Sequence, residues 1–183
     1  MDNFNSFLNI SHTTMVRCFV LLLVLVLGRI VQGQPEVKGK VIKVEEGDLL
    51  QILTSNKDTI SIRLANVDSP EPGQEYFEQA RRYTEKLCLK KTVKFIPKGK
   101  NEEDIETGFL VLPNNQTLNY ALVEAGLAWH FKKGLQFTIE IQTLSEKEDK
   151  AKSLEKGLWK SKAPVAPWIY KRNITRYEAK TSY

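Results

Sequence analysis

Cysteine and histidine are scarce in this chain, two of each in 183 residues. Cys18 and Cys88 have no metal-ligand spacing, so a thiolate metal cage is not encoded. If an N-terminal leader is removed, Cys18 goes with it and Cys88 cannot form an internal disulfide, which leaves stability to a hydrophobic core. His130 has no partner motif beside it and reads as a structural or surface histidine rather than a catalytic one. The longest apolar run, Cys18 to Gly28, covers about ten residues, too few for an easy membrane span. No internal repeat or low-complexity segment stands out.

What the chain does have is an ordinary apolar content of 42% and a formal net charge of +5. The first permits one packed core. The second favours a polyanion such as nucleic acid, or an anionic surface, without identifying either. The length suits one domain with a leader and a tail.

Residues 1–33 read as a signal peptide or N-terminal anchor. Arg17 precedes the apolar run, and Val31-Gln32-Gly33 offers a cleavage point before Gln34. Residues 1–14 are polar and add nothing to that signal, so Met15 is an alternative start. The expected destination is outside the cell or the periplasm, with membrane attachment through an uncleaved segment as the alternative. Sequons at Asn9, Asn115 and Asn173 matter only in a glycosylating host.

Residues 34–168 carry the fold. Val37–Val44, Leu49–Leu53 and Thr59–Val67 read as three strands joined by tight turns. Tyr76, Ala80, Tyr83 and Leu87 recur at helical spacing within 74–89. Strand character returns at 92–96 and 108–112. A short helix follows at 117–125, closed by Gly126, and a longer charged one at 139–156. The charged stretch 145–156 reads as a solvated face. Residues 160–183 read as an extended segment ending in a basic tail, 169–183. Five short strands with a helix between the third and fourth suggest an α+β OB-fold, a small barrel that commonly binds oligonucleotides or oligosaccharides.

The chemistry concentrates in Ile60–Glu71. Arg63 lies on a strand that breaks at Asp68-Ser69-Pro70-Glu71, where Pro70 stops the ladder. A carboxylate pair beside a guanidinium suits a cation and a phosphate together. Plainer alternatives stand beside this one. Asp48 after Gly47 is an ordinary turn residue, Glu71 could open the next helix, and Arg63 could simply pair with Asp68. The cluster from Trp129 to Lys133 could stack bases and hold phosphates, or pack in the core.

Five pieces in order resemble the staphylococcal nuclease (thermonuclease) family. They are Gly47-Asp48 after an acidic residue; Ile62-Arg-Leu-Ala-Asn-Val-Asp-Ser-Pro-Glu71; Gly73-Gln74 with Ala80; Asn119-x-x-Leu-Val-x-x-Gly-Leu-Ala-Trp129; and Gly157-Leu-Trp159. The ending Ala163-Pro-Val-Ala-Pro-Trp168 is similar to that of many exported bacterial members. The resemblance runs from about Val37 to Trp168. It implies a five-stranded OB-fold barrel with three helices, and a monomeric, calcium-dependent endonuclease acting on DNA and RNA, preferentially single-stranded. By position, Asp48, Asp68 and the Ser69 carbonyl would be calcium ligands. Glu71 would act on the attacking water as general base or as the group orienting it, and Arg63 would clamp the phosphate. In-line attack with loss of the 5′ oxygen would leave a 3′-phosphate product.

One departure bears on activity. The family usually carries Asp-x-Tyr-Gly-Arg before the fifth strand, and that arginine is the second phosphate clamp. Here Asn101–Gly108 contains no arginine or lysine, and Ile105 or Glu106 takes the place. Lys98 or Lys100 could substitute as a point charge without the planar fork. Leu49 likewise stands where threonine is common. The sequence therefore supports two readings. One is a nuclease weakened by the loss of its second arginine; the other is a catalytically inactive OB-fold module that binds nucleic acid or another ligand.

Overall fold

The computed structural model describes residues 36–132 and 138–181. The expected leader, with Cys18 and the Asn9 sequon, lies outside the described residues, as does Lys133. Strands β1 (Val37–Val44), β2 (Leu49–Thr54) and β3 (Thr59–Leu64) form a meander. After the two-residue β4 (Val67–Asp68) come helix α1 (Phe77–Cys88), β5 (Thr92–Lys100) and β6 (Glu106–Val111). Helix α2 (Leu118–Glu124), the short β7 (Trp129–His130) and α3 (Ile139–Ser153) follow, then a 3₁₀ turn at Gly157–Lys160 and α4 (Pro167–Thr181).

The barrel closes in the order β1-β2-β3-β6-β5. All its pairings are antiparallel except β3 with β6. The expected OB-fold barrel is therefore present. In β1 a register shift between Val41 and Lys43 turns both Val41 and Val44 inward and leaves Ile42 exposed. That bulge explains why the apolar alternation there is imperfect. Val41, Leu50, Ile52, Ile62, Val93, Phe95 and Leu110 fill the barrel, and the core continues beneath α2 and α3 through Leu118, Leu122 and Leu144.

The helical spacing of Tyr76, Ala80, Tyr83 and Leu87 holds, since all four pack in or against the core, and the fully buried line of α1 adds Thr84 and Cys88 to Ala80. Thr84 can be buried because its hydroxyl donates to the Gly47 carbonyl at 2.6 Å. On α3, the expected solvated face of 145–156 includes a buried acid, Glu148, while Leu154 just past the helix end is exposed. The Glu148 carboxylate accepts the His130 backbone N–H at 2.9 Å and pairs with Lys152 Nζ at 2.8 Å, so it is not on a solvated face. The tail needs correction too: Pro167–Thr181 is a fourth helix, not an extended segment. Prolines at 164 and 167 suggested an extended chain, but a proline in the first turn of a helix gives up no hydrogen bond that the turn would make.

Asn119 holds the barrel to α2. Its side chain is buried, accepts the Leu110 N–H at 3.1 Å, and donates to the carbonyls of Ala65 at 2.9 Å and Gly108 at 3.2 Å. Asn119→Ala would leave these backbone groups buried without that partner, at roughly 1–3 kcal/mol for each unsatisfied group. Urea unfolding should therefore show a clear drop in midpoint for Asn119→Ala, and an unchanged midpoint would contradict this role.

Candidate active site

The site forms where β3 and the loop before β2 meet the segment after β4. Gly47 permits the approach: a Cβ there would lie 2.9 Å from the Cβ atoms of both Ala80 and Ser69. With no side chain at 47, the Glu46–Asp48 loop lies against α1 and against the Ser69 loop. The Leu64 N–H donates to the Asp48 carbonyl at 2.9 Å and fixes that loop to β3. Asp48 is only 1% exposed. Its Oδ1 accepts from the Ser69 hydroxyl at 2.6 Å and its Oδ2 from Arg63 Nη1 at 3.2 Å.

Arg63 is opposite Leu49 on β2 and Thr107 on β6, with Ile62 and Leu64 on either side in the core. Alternation on the strand thus sends the guanidinium out of the barrel at its rim. Its Nη1 also donates to Glu46 Oε2 at 3.1 Å. Arg63 therefore forms its ion pairs with Asp48 and Glu46, not with Asp68 as the plainer sequence reading had it. Glu46, the acid before the Gly47-Asp48 pair, carries no site signal in the sequence, because acids before such turns are common. Burial alone would lower the Arg63 pKa, but Asp48 and Glu46 outweigh it and raise it above its ordinary value.

Asp68 is held by the β4–β7 ladder, where it pairs with Trp129. Burial, followed by the neighbouring charges of Asp48 and Glu71, pushes its pKa up to about 8, against the opposing pull of Lys171 and Arg63. Glu46 is raised as well, first by burial and then by Asp48 and Glu71, although Arg63 opposes the shift. Glu71 is mostly buried, and its Oε1 lies 2.9 Å from Lys171 Nζ. The Glu71 backbone N–H donates to Gln74 Oε1 at 3.0 Å, and Gln74 Nε2 donates to the Val165 carbonyl at 2.6 Å. The segment before α4 is tied to the site by that glutamine.

Arg63 and Asp68 open into a cavity of about 1200 Å³ whose other wall is α4. Lys100 lines this cavity, but its ammonium lies 2.8 Å from Asp104 and 3.9 Å from Glu106. Lys98 pairs with Glu140 at 3.6 Å instead. Glu106 opens β6 in register with Lys100 and next to Ile62. His130 is buried and meets Ser145 through Nδ1 at 3.2 Å, which fits the structural role expected of it. Trp129 stacks edge-on with Trp159 at 4.4 Å between centroids and with Trp168 at 5.8 Å. Phe131 and Trp168, by contrast, both face the cavity.

Among the described residues oxygen is the only metal-donor type at this rim, since Cys88 and His130 are buried in other packing contacts. Among the described residues no group of three acids, histidines or cysteines is already spaced as a metal cage. Arg63 and Ser69 occupy the Asp48 oxygens instead. Yet Asp68 feels the opposing charges of both Asp48 and Glu71, a conflict that a hard divalent cation would relieve. The donor set is of the kind calcium takes.

Comparison with known proteins agrees with the geometry. Residues 61–161 match the family described as "Staphylococcal nuclease homologue". A Haemophilus influenzae protein named "Uncharacterized endonuclease" is 30% identical over 133 residues, covering 73% of this chain and 72% of its own. An Escherichia coli O157:H7 protein of the same name is 29% identical over 74% of this chain and 86% of its own. The "Micrococcal nuclease" of Shigella flexneri is 29% identical over 74% of this chain and 80% of its own. An OB-fold barrel that gathers acids and an arginine at one rim, and matches this family over more than half its length, is a nuclease belonging to the staphylococcal nuclease homologue family.

Proposed function

We propose that the chain is a calcium-dependent endonuclease that hydrolyses phosphodiester bonds of DNA and RNA, preferentially single-stranded, and leaves 3′-phosphate ends. The observation that carries this reading is that Arg63 and Asp68 line one cavity, with Asp48 bound to Arg63 and both Asp48 and Glu71 close enough to act on Asp68. Asp48, Asp68 and the Ser69 carbonyl would hold calcium, which when bound offsets the charge of the scissile phosphate. Glu71 receives the proton of the attacking water, or orients that water. Arg63, already held by two carboxylates, presents its remaining N–H groups to the phosphate and meets the charge that grows in the transition state. The same reading takes the protein as a monomer exported through residues 1–33, with 34–168 as the nuclease domain. Phe131 and Trp168 offer faces on which unpaired bases can stack, which favours single strands.

Cleavage of a single-stranded oligonucleotide, followed with calcium and with chelator, tests this directly. Activity should need calcium and should fall by at least about 10² in Glu71→Gln, within the range for loss of a general base. Binding that survives chelation without any cleavage would instead identify a binding module. Arg63→Ala is a poor probe, because it leaves Asp48 buried and uncompensated. Arg63→Lys keeps a charge and loses the fork, and should lower kcat by roughly 10²–10³ with a smaller loss of thermal stability. Calcium titration should show weakened affinity for Asp68→Ala. A wild-type affinity in that variant would contradict the metal assignment.

A further inference from the structure

Nothing in the Asn101–Gly108 stretch can provide a second cation for the phosphate. Glu106 is an acid, and Lys100, the nearest cation, is paired with Asp104 and reaches towards Glu106. The opposite wall of the same cavity is different. Trp168, Lys171, Arg172, Thr175 and Arg176 all line it, at spacings of three and four that define one face of α4. The start of the helix is well seated. Ala166 and Pro167 are buried, Trp168 packs on Phe131 at 5.3 Å, and Gln74 holds the Val165 carbonyl. The first turn thus fixes which face of the helix looks at Arg63.

We propose that α4 supplies the second phosphate clamp of this nuclease, with Lys171 on the scissile phosphate opposite Arg63, and Arg172 and Arg176 on the adjoining backbone phosphates. The inference rests on the nuclease reading above. Lys171 Nζ already lies 2.9 Å from Glu71, and its charge is felt at Asp68 and Arg63. Its side chain is 58% exposed, so the ammonium can turn from Glu71 to an incoming phosphate without unpacking anything. A lysine suits this movement because it is a compact charge on a flexible stem. Arg172 and Arg176, further along the cavity wall, meet the strand on either side of the cut through its charge alone. A basic tail thereby becomes part of the site, and the place left by the missing arginine is filled from the other end of the chain.

The test uses the full chain and a single-stranded DNA oligonucleotide with calcium. Lys171→Met should lower kcat by roughly 10²–10³, the range for removing one charge-stabilising donor. Lys171→Arg should recover most of that loss, and Lys171→Met but not Lys171→Arg should flatten the slope of log oligonucleotide affinity against log salt by about 0.7, which loss of the Glu71 ion pair alone would not do. Arg172→Gln and Arg176→Gln should act mainly on KM. Each should also flatten the slope of log affinity against log salt by about 0.7, the increment for one phosphate contact on a single strand. An unchanged kcat in Lys171→Met overturns the proposal. A raised kcat does so too, since Lys171 would then be a brake on Glu71. If the wild-type chain cleaves nothing, the nuclease reading fails by itself. Oligonucleotide binding then decides the placement of α4, because wild-type affinity and salt slope in all three variants would overturn it.

Discussion

The ion pair between Arg63 and Asp48 is the contact on which the rest of the site depends. Asp48 is almost wholly removed from water, so its charge needs a partner, and Arg63 comes from a strand whose neighbouring side chains are locked in the barrel. A carboxylate and a guanidinium at 3.2 Å satisfy each other there, while Glu46 takes the same guanidinium nitrogen at 3.1 Å. Breaking such a pair on one side costs more than forming it gains, because the remaining charge stays buried. The pair therefore fixes the position of the arginine before any substrate arrives. Preorganised cations of this kind are what phosphoryl chemistry requires.

Around that pair the protein concentrates more negative charge than the arginine can offset. Burial and its acidic neighbours Asp48 and Glu71 raise the pKa of Asp68 to about 8, and Glu71 draws Lys171 to itself. The excess is useful at a phosphate site only if cations can enter or move. On the proposed reading, a divalent ion among the carboxylates and Lys171 on α4 would answer the same electrostatic demand in two ways.

The support for this arrangement lies one layer out. Thr84 holds the Gly47 carbonyl, so α1 positions the loop that carries Asp48. Glu148 holds the backbone of His130, and β7 in turn pairs with β4 and so with Asp68. Gly126 and Gly157 let the end of α2 meet the 3₁₀ turn, where a Cβ on either would strike the other segment's backbone carbonyls. Leu158 closes the crossing by donating to the Gly126 carbonyl at 2.9 Å. These contacts join α2, α3 and β7 into the frame on which α4 is seated through Trp129 and Trp168.

The five barrel strands along the chain, the helices α1 to α3, and the closeness in sequence of Arg63, Asp68, Ser69 and Glu71 were legible in the sequence. Each depends on local periodicity or on neighbours along the chain. Asp48 could be joined to them only through resemblance to a family, since nothing local distinguishes it from a turn residue. Tertiary structure alone decided the remainder. Burial of Glu148 depends on β7 arriving above α3, and Glu46 joins the site only because Gly47 folds its loop against Ser69. The same holds for the basic end of the chain. Its composition marked it as charged, but not which face would look at Arg63, because that direction is set by Trp168 packing on side chains almost forty residues away.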